Sequence, residues 1–185
     1  MLFRSPLCPR QRIADQIVSG FLKPEAFEAV APWLRFSERT GLYGLGEPFL
    51  NRKFFDYLAA AKSNGSYTMT STHGMSLSEE VARRLIEMEL DELAVSMDAC
   101  TPGLFRRLRA NAELRVVCAN VRRLVRLREA AGASRPRVHI ACAVSRENVN
   151  QMAAMPALAR WLGADRLVFS NIIFVKREDA RLNAV

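Results

Sequence analysis

The amino-acid sequence predicts an α/β fold, a partial (β/α) barrel in which parallel strands alternate with helices. Five short runs of β-branched, apolar or aromatic residues have the length of strands, and longer segments with helical periodicity separate them. Such strand-helix-strand repeats favour parallel pairing in a sheet that is covered on both faces. We expect residues 1–185 to form a single domain. The predicted strands are Gly41–Leu45, Ser66–Ser71, Glu92–Met97, Arg137–Val144 and Arg166–Ile173.

Start and stop signals place helices between these strands. Pro24 opens a helix that runs through Trp33, because proline lacks only an N–H that the first helical turn leaves unpaired anyway. Asn51 is a candidate cap for the next helix, which Asn64 and Gly65 would end. The remaining helices are expected to start at Ser76 or Ser78, to cover the arginine-rich segment up to about Gly132, and to run from about Asn150 to Leu162.

The composition favours a cytoplasmic protein that binds neither nucleic acid nor membranes. Half of the residues are apolar, which is enough for one buried core. The formal net charge is +8, but the densest arginines alternate with apolar residues at helical spacing, as on the solvated face of an amphipathic helix. No segment approaches the roughly 20 apolar residues that span a bilayer, and residues 1–12 do not resemble a signal peptide. Four cysteines without paired spacing indicate a reducing compartment: Cys8, Cys100, Cys118 and Cys142.

Polar and glycine residues recur directly after the predicted strands, where ligand sites of parallel sheets lie. The segment Gly44-Leu45-Gly46-Glu47-Pro48 combines glycines that permit close backbone approach, a carboxylate that can meet a cation, and a proline that fixes the turn. A cationic amine would suit this loop. Each feature alone also fits a plain turn or a helix cap, so it is their recurrence that indicates a site. The later strands are followed by Thr72-His73-Gly74, by Ser96 and Asp98, and by Arg146 and Asn148.

These segments together resemble the radical SAM family. The loop Gly44 to Pro48 is similar to that family's glycine-glycine-glutamate-proline motif, and Thr72-His73-Gly74 stands where relatives often have Thr-Asn-Gly. Glu92 to Asp98 resembles a strand that ends in Ser-x-Asp, and Ser145 to Asn148 also has a counterpart. The resemblance implies a barrel of the radical SAM type and S-adenosylmethionine as a cofactor. It further implies these site residues: Gly44, Gly46, Glu47 and Pro48 around the amino group, and Ser96 and Arg109 near the carboxylate or ribose.

The cluster motif departs from the family pattern. Radical SAM proteins carry C-x-x-x-C-x-x-C, three thiolates that hold a 4Fe-4S cluster. In the corresponding segment, Met1 and Ser5 occupy the first two cysteine positions, and only Cys8 remains as a candidate metal ligand. A thioether and a hydroxyl are poor replacements for thiolates. The resemblance therefore implies a cluster that the residues themselves are not expected to hold.

The resemblance also predicts a barrel that is incomplete at both ends, without the family's first strand and cysteine-bearing C-terminal extension. A missing edge strand would expose unpaired backbone groups and apolar surface, which predicts either poor solubility or a protein partner that covers the gap. Two hypotheses follow. One is a degenerate radical-SAM-like domain without radical chemistry. The alternative is a non-catalytic binding or scaffold module, whose open edge and arginine-rich helix pair with another polypeptide.

Other conspicuous residues have structural explanations. Cys100, Cys118 and Cys142 are expected to be packed thiols, because they lie on different elements without metal-ligand spacing. His139 alternates within a buried strand, so we interpret it as a core or strand-face histidine. Aromatic residues at helical spacing are expected in the core: Trp33, Phe54, Phe55 and Trp161.

Overall fold

Parallel strands in sequential order form the centre of the molecule. The computed structural model describes residues 8, 10, 13–17, 20–110 and 112–172. Its sheet has the order β1-β2-β3-β4-β5, and all neighbouring pairs are parallel. This confirms the predicted α/β fold, since strands that follow one another in space as in sequence progress around a barrel wall. The strands are β1 (Arg39–Gly41), β2 (Tyr67–Thr72), β3 (Glu92–Ser96), β4 (Arg137–Val144) and β5 (Arg166–Asn171).

Helices connect the strands and cover one face of the sheet. The Ser78 hydroxyl accepts a hydrogen bond from the Val81 N–H, so Ser78 rather than Ser76 caps its helix. Asn51 does not cap the next helix, whose N-cap is Lys53. Its Oδ1 instead accepts the Lys53 N–H at 2.9 Å in the turn that precedes that helix. Short 3₁₀ segments cover Ala31–Phe36, Pro48–Leu50 and Val149–Ala154. The helices are α1 (Pro24–Val30), α2 (Phe54–Ser63), α3 (Glu79–Glu87), α4 (Pro102–Leu108), α5 (Leu114–Ala130) and α6 (Met155–Leu162).

Three predictions about these elements are wrong. The first strand is Arg39–Gly41 rather than Gly41–Leu45, so residues 42–47 form a loop that leads into the 3₁₀ segment Pro48–Leu50. The arginine-rich segment forms two helices, α4 and α5, because the chain leaves helical geometry at Arg109. Trp33 and Trp161 are 68% and 54% exposed and lie outside the core, whereas Phe54 and Phe55 are buried as expected.

The two faces of the sheet differ in character. Leu93 and Val95 of β3 are fully buried and pack with apolar residues of the helices, whereas Ala94 and Ser96 point to the opposite, partly exposed face. We call that opposite face the concave face. Strand β2 places threonines on the helix side, where Thr70 and Thr72 are buried next to Leu93 and Val95 in register. Their hydroxyls bond to the loop after β1 and so determine where that loop lies.

Asn148 joins the carboxyl ends of β3 and β4. Its side-chain amide donates to the carbonyls of Asp98 and Ala143, both at 2.8 Å, and its Oδ1 accepts from the Ser145 N–H at 2.7 Å. The residue is completely buried. If the Asn148 side chain were removed, water could not replace these hydrogen bonds, because the site is buried. Asn148, which the sequence marked as a strand-end residue, therefore holds the ends of β3 and β4 together. Among the described residues, no helix is long and apolar enough to cross a membrane.

The Asn148→Ala variant is expected to lower the free energy of unfolding by about 2 to 4 kcal/mol, because it leaves buried carbonyls and an N–H unpaired. Urea denaturation followed by circular dichroism measures this loss. Asn150→Ala is the matched control, since Asn150 lies two positions away and is exposed. Its effect should stay within about 0.5 kcal/mol. Equal losses in both variants would contradict the role given to Asn148.

Candidate functional site

Glu47 anchors the glycine-rich loop to the end of β2. The Thr72 hydroxyl donates to Glu47 Oε1 at 2.8 Å, and the His73 N–H donates to Oε2 at 2.9 Å. The carboxylate side chain is only 6% exposed. Burial raises the pKa of Glu47, against hydrogen bonds from His73, Thr72 and the Phe49 backbone that lower it. Most of the carboxylate's acceptor positions are therefore already used to hold the loop.

The loop itself presents open backbone. Gly44 and Gly46 are exposed, and a Cβ built on either residue would meet no heavy atom within 4 Å. Leu42 continues the ladder, with its N–H bonded to the Met69 carbonyl, and Pro48 starts the 3₁₀ turn after Glu47. The space above the two glycines is free of the described protein atoms, so a ligand can reach the main chain there.

The His73 side chain lies beside Glu47 and within the electrostatic influence of Arg109. Its Nδ1 accepts the Met75 N–H at 3.0 Å, so the neutral ring carries its proton on Nε2, which lies 3.3 Å from Glu47 Oε2. Burial, followed by the positive charge of Arg109, lowers the pKa of His73 from 6.5 to about 4. The imidazole is therefore neutral at pH 7.

Arg109 and Asp98 form a buried ion pair behind His73. Arg109 Nε lies 2.5 Å from Asp98 Oδ2, but the N–H does not point at the oxygen, and the contact is a charge pairing without a hydrogen bond. The other oxygen, Asp98 Oδ1, accepts the Ala143 N–H at 2.9 Å. The Arg109 side chain is 20% exposed, and its guanidinium makes no hydrogen bond to any described residue. Its N–H groups thus remain available for a ligand with acceptor oxygens.

Ser96 ends β3 on the concave face. It pairs with Ala141 in register and is partly exposed. Asp98 follows two positions later and is fully buried. In the Ser-x-Asp segment, Ser96 thus presents an accessible hydroxyl, and Asp98 forms the ion pair with Arg109. Glu47, His73 and Asp98 lie at the carboxyl-terminal edge of the sheet, as the strand-end pattern predicted, and Arg109, at the end of α4, joins them through its contact with Asp98. Ser96 lies at the same edge.

Comparisons with known proteins agree with this architecture. No protein-family model matches the chain. The tungsten-containing aldehyde ferredoxin oxidoreductase cofactor-modifying protein of Pyrococcus furiosus is 29% identical over 144 residues, which cover 75% of this chain and 40% of that protein. Streptococcus suis SuiB bound to S-adenosylmethionine matches with a TM-score of 0.70 and 14% identity, over 87% of this chain and 36% of SuiB. The structure of anSMEcpe with bound AdoMet matches with a TM-score of 0.68 and 17% identity, over 92% of this chain and 48% of anSMEcpe.

Both solved structures are of radical SAM enzymes. This chain has the radical SAM fold. The sequence resemblance is thereby confirmed for the fold, and the chain spans less than half the length of each of these relatives.

Of the residues considered for a cluster, only Cys8 lies within the part of the chain that the structure describes. Cys8 is partly exposed, while Met1 and Ser5 lie outside the described residues. In the parts of the chain that the structure describes, no group of three histidines, cysteines or carboxylates is arranged to hold a metal ion. Two of the other thiols, Cys118 and Cys142, are buried, and burial raises the pKa of Cys142 to about 12, whereas Cys100 is partly exposed.

Sequence reasoning missed a second polar cluster on the concave face, near the amino ends of the strands. The Tyr67 hydroxyl donates to Glu92 at 2.9 Å, the Arg39 guanidinium lies over the Tyr67 ring, and His139 Nε2 lies 3.8 Å from the same carboxylate. Glu92 and His139 are both buried. The available signal was the two-residue alternation of β3 and β4, which places Glu92, Ala94 and His139 on one face.

Acidification should destabilise the protein between pH 6.5 and about 4 through His73. Its folded pKa lies below its unfolded pKa, so the unfolded chain takes up the proton first and stability falls as pH falls through this range. The loss is on the order of 3 kcal/mol before an opposing contribution from Glu47, whose raised pKa favours the folded state on acidification.

The His73→Asn variant tests this, since asparagine can accept the Met75 N–H but does not titrate. Its unfolding free energy should fall less steeply with acidification than that of the parent protein in the same buffers. His139→Gln removes the other histidine of the chain and should preserve the His73 contribution. Parallel curves for the parent and His73→Asn would show that His73 does not titrate as inferred.

Proposed function

We propose that this chain is an S-adenosylmethionine-binding domain of the radical SAM type that does not carry out radical chemistry on its own. The guanidinium of Arg109 is the main observation in support. It is mostly buried, it is held by the charge of Asp98, and its N–H groups make no hydrogen bonds to the described residues. Arginine in such a position suits a carboxylate ligand, because its rigid donors match two acceptor oxygens.

The other residues at this edge fit the remaining parts of the molecule. The methionine end of S-adenosylmethionine has an amino group beside its carboxylate, and the exposed backbone of Gly44 and Gly46 can receive that amine. Glu47 supplies negative charge and holds the loop in place. Ser96 offers an accessible hydroxyl for the carboxylate or ribose.

The residues of this chain do not offer the donor set that a 4Fe-4S cluster needs. In radical SAM enzymes, one electron from the 4Fe-4S cluster reductively cleaves S-adenosylmethionine to methionine and a 5′-deoxyadenosyl radical. With Met1 and Ser5 in place of two cysteines, Cys8 alone does not supply the three thiolates. We therefore assign no radical step to this chain.

Binding of S-adenosylmethionine to the purified chain should be measurable by isothermal titration calorimetry. Arg109→Gln is expected to weaken binding about tenfold or more, since a charge-assisted hydrogen bond contributes roughly 1.5 to 3 kcal/mol. Arg107→Gln is the matched control, because Arg107 is an exposed neighbour that pairs with Glu147. The proposal is wrong if the parent chain does not bind, or if both variants bind equally.

Gly46→Val separates ligand contact from folding. A Cβ at this position meets only open space, so the variant should keep its unfolding free energy within about 0.5 kcal/mol. A side chain there would occupy the space that we assign to the amino acid end of the ligand, and affinity should fall at least about tenfold. Unchanged affinity with unchanged stability would remove the glycine loop from the site.

Anaerobic reconstitution with iron and sulfide tests the missing chemistry. The purified chain should bind well below four irons, and incubation with S-adenosylmethionine and a reductant should yield no 5′-deoxyadenosine. A variant that restores both cysteines, Met1→Cys with an added start methionine and Ser5→Cys, is the matched comparison. Cleavage of S-adenosylmethionine by the unaltered chain would refute the proposed lack of radical chemistry while leaving the binding proposal intact.

A further inference from the structure

A groove on the outer surface separates helices α5 and α6. It has a volume of about 520 Å³. Its floor is apolar, with Leu114, Cys118 and Leu158, and the exposed indole of Trp161 forms part of its wall. Three arginines of α5 also line it: Arg115, Arg122 and Arg126. We call this feature the arginine groove.

The charge of the arginine groove is unbalanced. No aspartate or glutamate lines it. None of its three arginines forms an ion pair with a carboxylate of residues 20–110 or 112–172, whereas Arg83, Arg107 and Arg128 each pair with one. Three neighbouring positive charges that repel one another attract a ligand with several negative charges.

Trp161 adds an anchor for apolar contact. It is the more buried of the two tryptophans, and the Arg122 guanidinium lies 4.5 Å from its ring centre. The stacking holds one arginine in the wall of the groove. Tryptophan and arginine are the side chains that contribute most often to protein interfaces, because each combines apolar area with directed polar contact.

The spacing of the arginines selects the kind of ligand. They lie at i, i+7 and i+11 on one face of α5, which spans about 16 Å at 1.5 Å per residue. A small anion reaches one or two of them. A second helix with carboxylates at matching intervals reaches all three, and its apolar side chains fill the floor between them. A nucleic acid backbone has phosphates for the arginines but no aliphatic side chains for Leu114 and Leu158.

We propose that the arginine groove binds an acidic amphipathic helix of a partner polypeptide. The groove lies on the helix side of the sheet, because Val117 and Val121 of α5 pack into the core beneath it. The concave face that carries Ser96 lies on the other side. A bound partner thus leaves that face accessible, and the proposal does not depend on S-adenosylmethionine binding.

Fluorescence of Trp161 in the full chain tests the proposal. Trp33→Phe leaves Trp161 as the only tryptophan. The probe is a synthetic helix-forming peptide with glutamates at i, i+7 and i+11 and leucines between them, and its glutamine counterpart is the control. The glutamate peptide should shift the emission to shorter wavelength and bind at least about tenfold more tightly than the glutamine peptide, with an affinity that falls as salt rises.

Two triple variants separate the groove from net charge. Replacing Arg115, Arg122 and Arg126 by glutamine should weaken peptide binding at least about tenfold. Replacing the exposed arginines Arg52, Arg83 and Arg106 removes the same charge elsewhere and should change affinity by less than about threefold. Equal weakening in both triple variants overturns the proposal.

Charge reversal keeps the test decisive if the glutamine variant folds poorly. With glutamate at 115, 122 and 126, the chain should lose the glutamate peptide and gain binding of a lysine counterpart. Failure to gain that binding, in a chain whose circular dichroism matches the parent, contradicts the proposal. So does a DNA duplex that binds the parent chain more tightly than the peptide and loses affinity in the groove variant, because the site would then be one for nucleic acid.

Discussion

The arrangement of the candidate site depends on the hydrogen bonds that Glu47 accepts at the end of β2. Thr72 and the backbone of His73 occupy both carboxylate oxygens, and they fix a loop that has few apolar contacts of its own. Together with the bond from the Thr70 hydroxyl to the Leu42 carbonyl, this anchor positions the backbone of Gly44 and Gly46 relative to the strand ends. Glu47 was expected to bind an amine directly, and the structure shows that it also holds the loop. Both roles require the acceptor positions of one carboxylate, which are limited in number.

Two charged groups at this edge of the sheet, the Arg109 guanidinium and the Asp98 carboxylate, form an ion pair next to a neutral histidine. The low pKa of His73 keeps the imidazole uncharged, so the positive charge of Arg109 is opposed mainly by Asp98. Burying a cation and an anion together costs less than burying either alone, which explains why Asp98 is sealed behind the strand end while Arg109 keeps some exposure. A ligand carboxylate would meet a guanidinium that is already desolvated and oriented.

The sequence predicted some elements closely and others poorly, for physical reasons. Strand β4 has the predicted bounds and β3 differs by one residue, because both carry near-continuous apolar runs with the length of a strand. Strand β1 was misplaced, because a three-residue strand carries too little pattern to be told from the apolar loop that follows it. The strand-end residues could be identified as a group from topology. Periodicity does not encode contacts between separate elements. It therefore could not predict the ion pair of Asp98 with Arg109 or the stacking of Arg122 on the exposed Trp161 ring.

Helix α5 contacts two parts of the molecule, the arginine groove and the loop after β2. Its outer face carries the arginine groove, while on its inner face the Asn120 side chain donates to the Gly74 carbonyl and Arg123 donates to the Leu77 carbonyl. A Cβ on Gly74 would lie 2.7 Å from Val117, which shows how tightly the loop after β2 rests on this helix. A helix moves as a rigid unit, and close-packed interiors transmit displacement. Helix α5 contacts both the arginine groove and the loop that begins at His73, so one helix forms part of both surfaces.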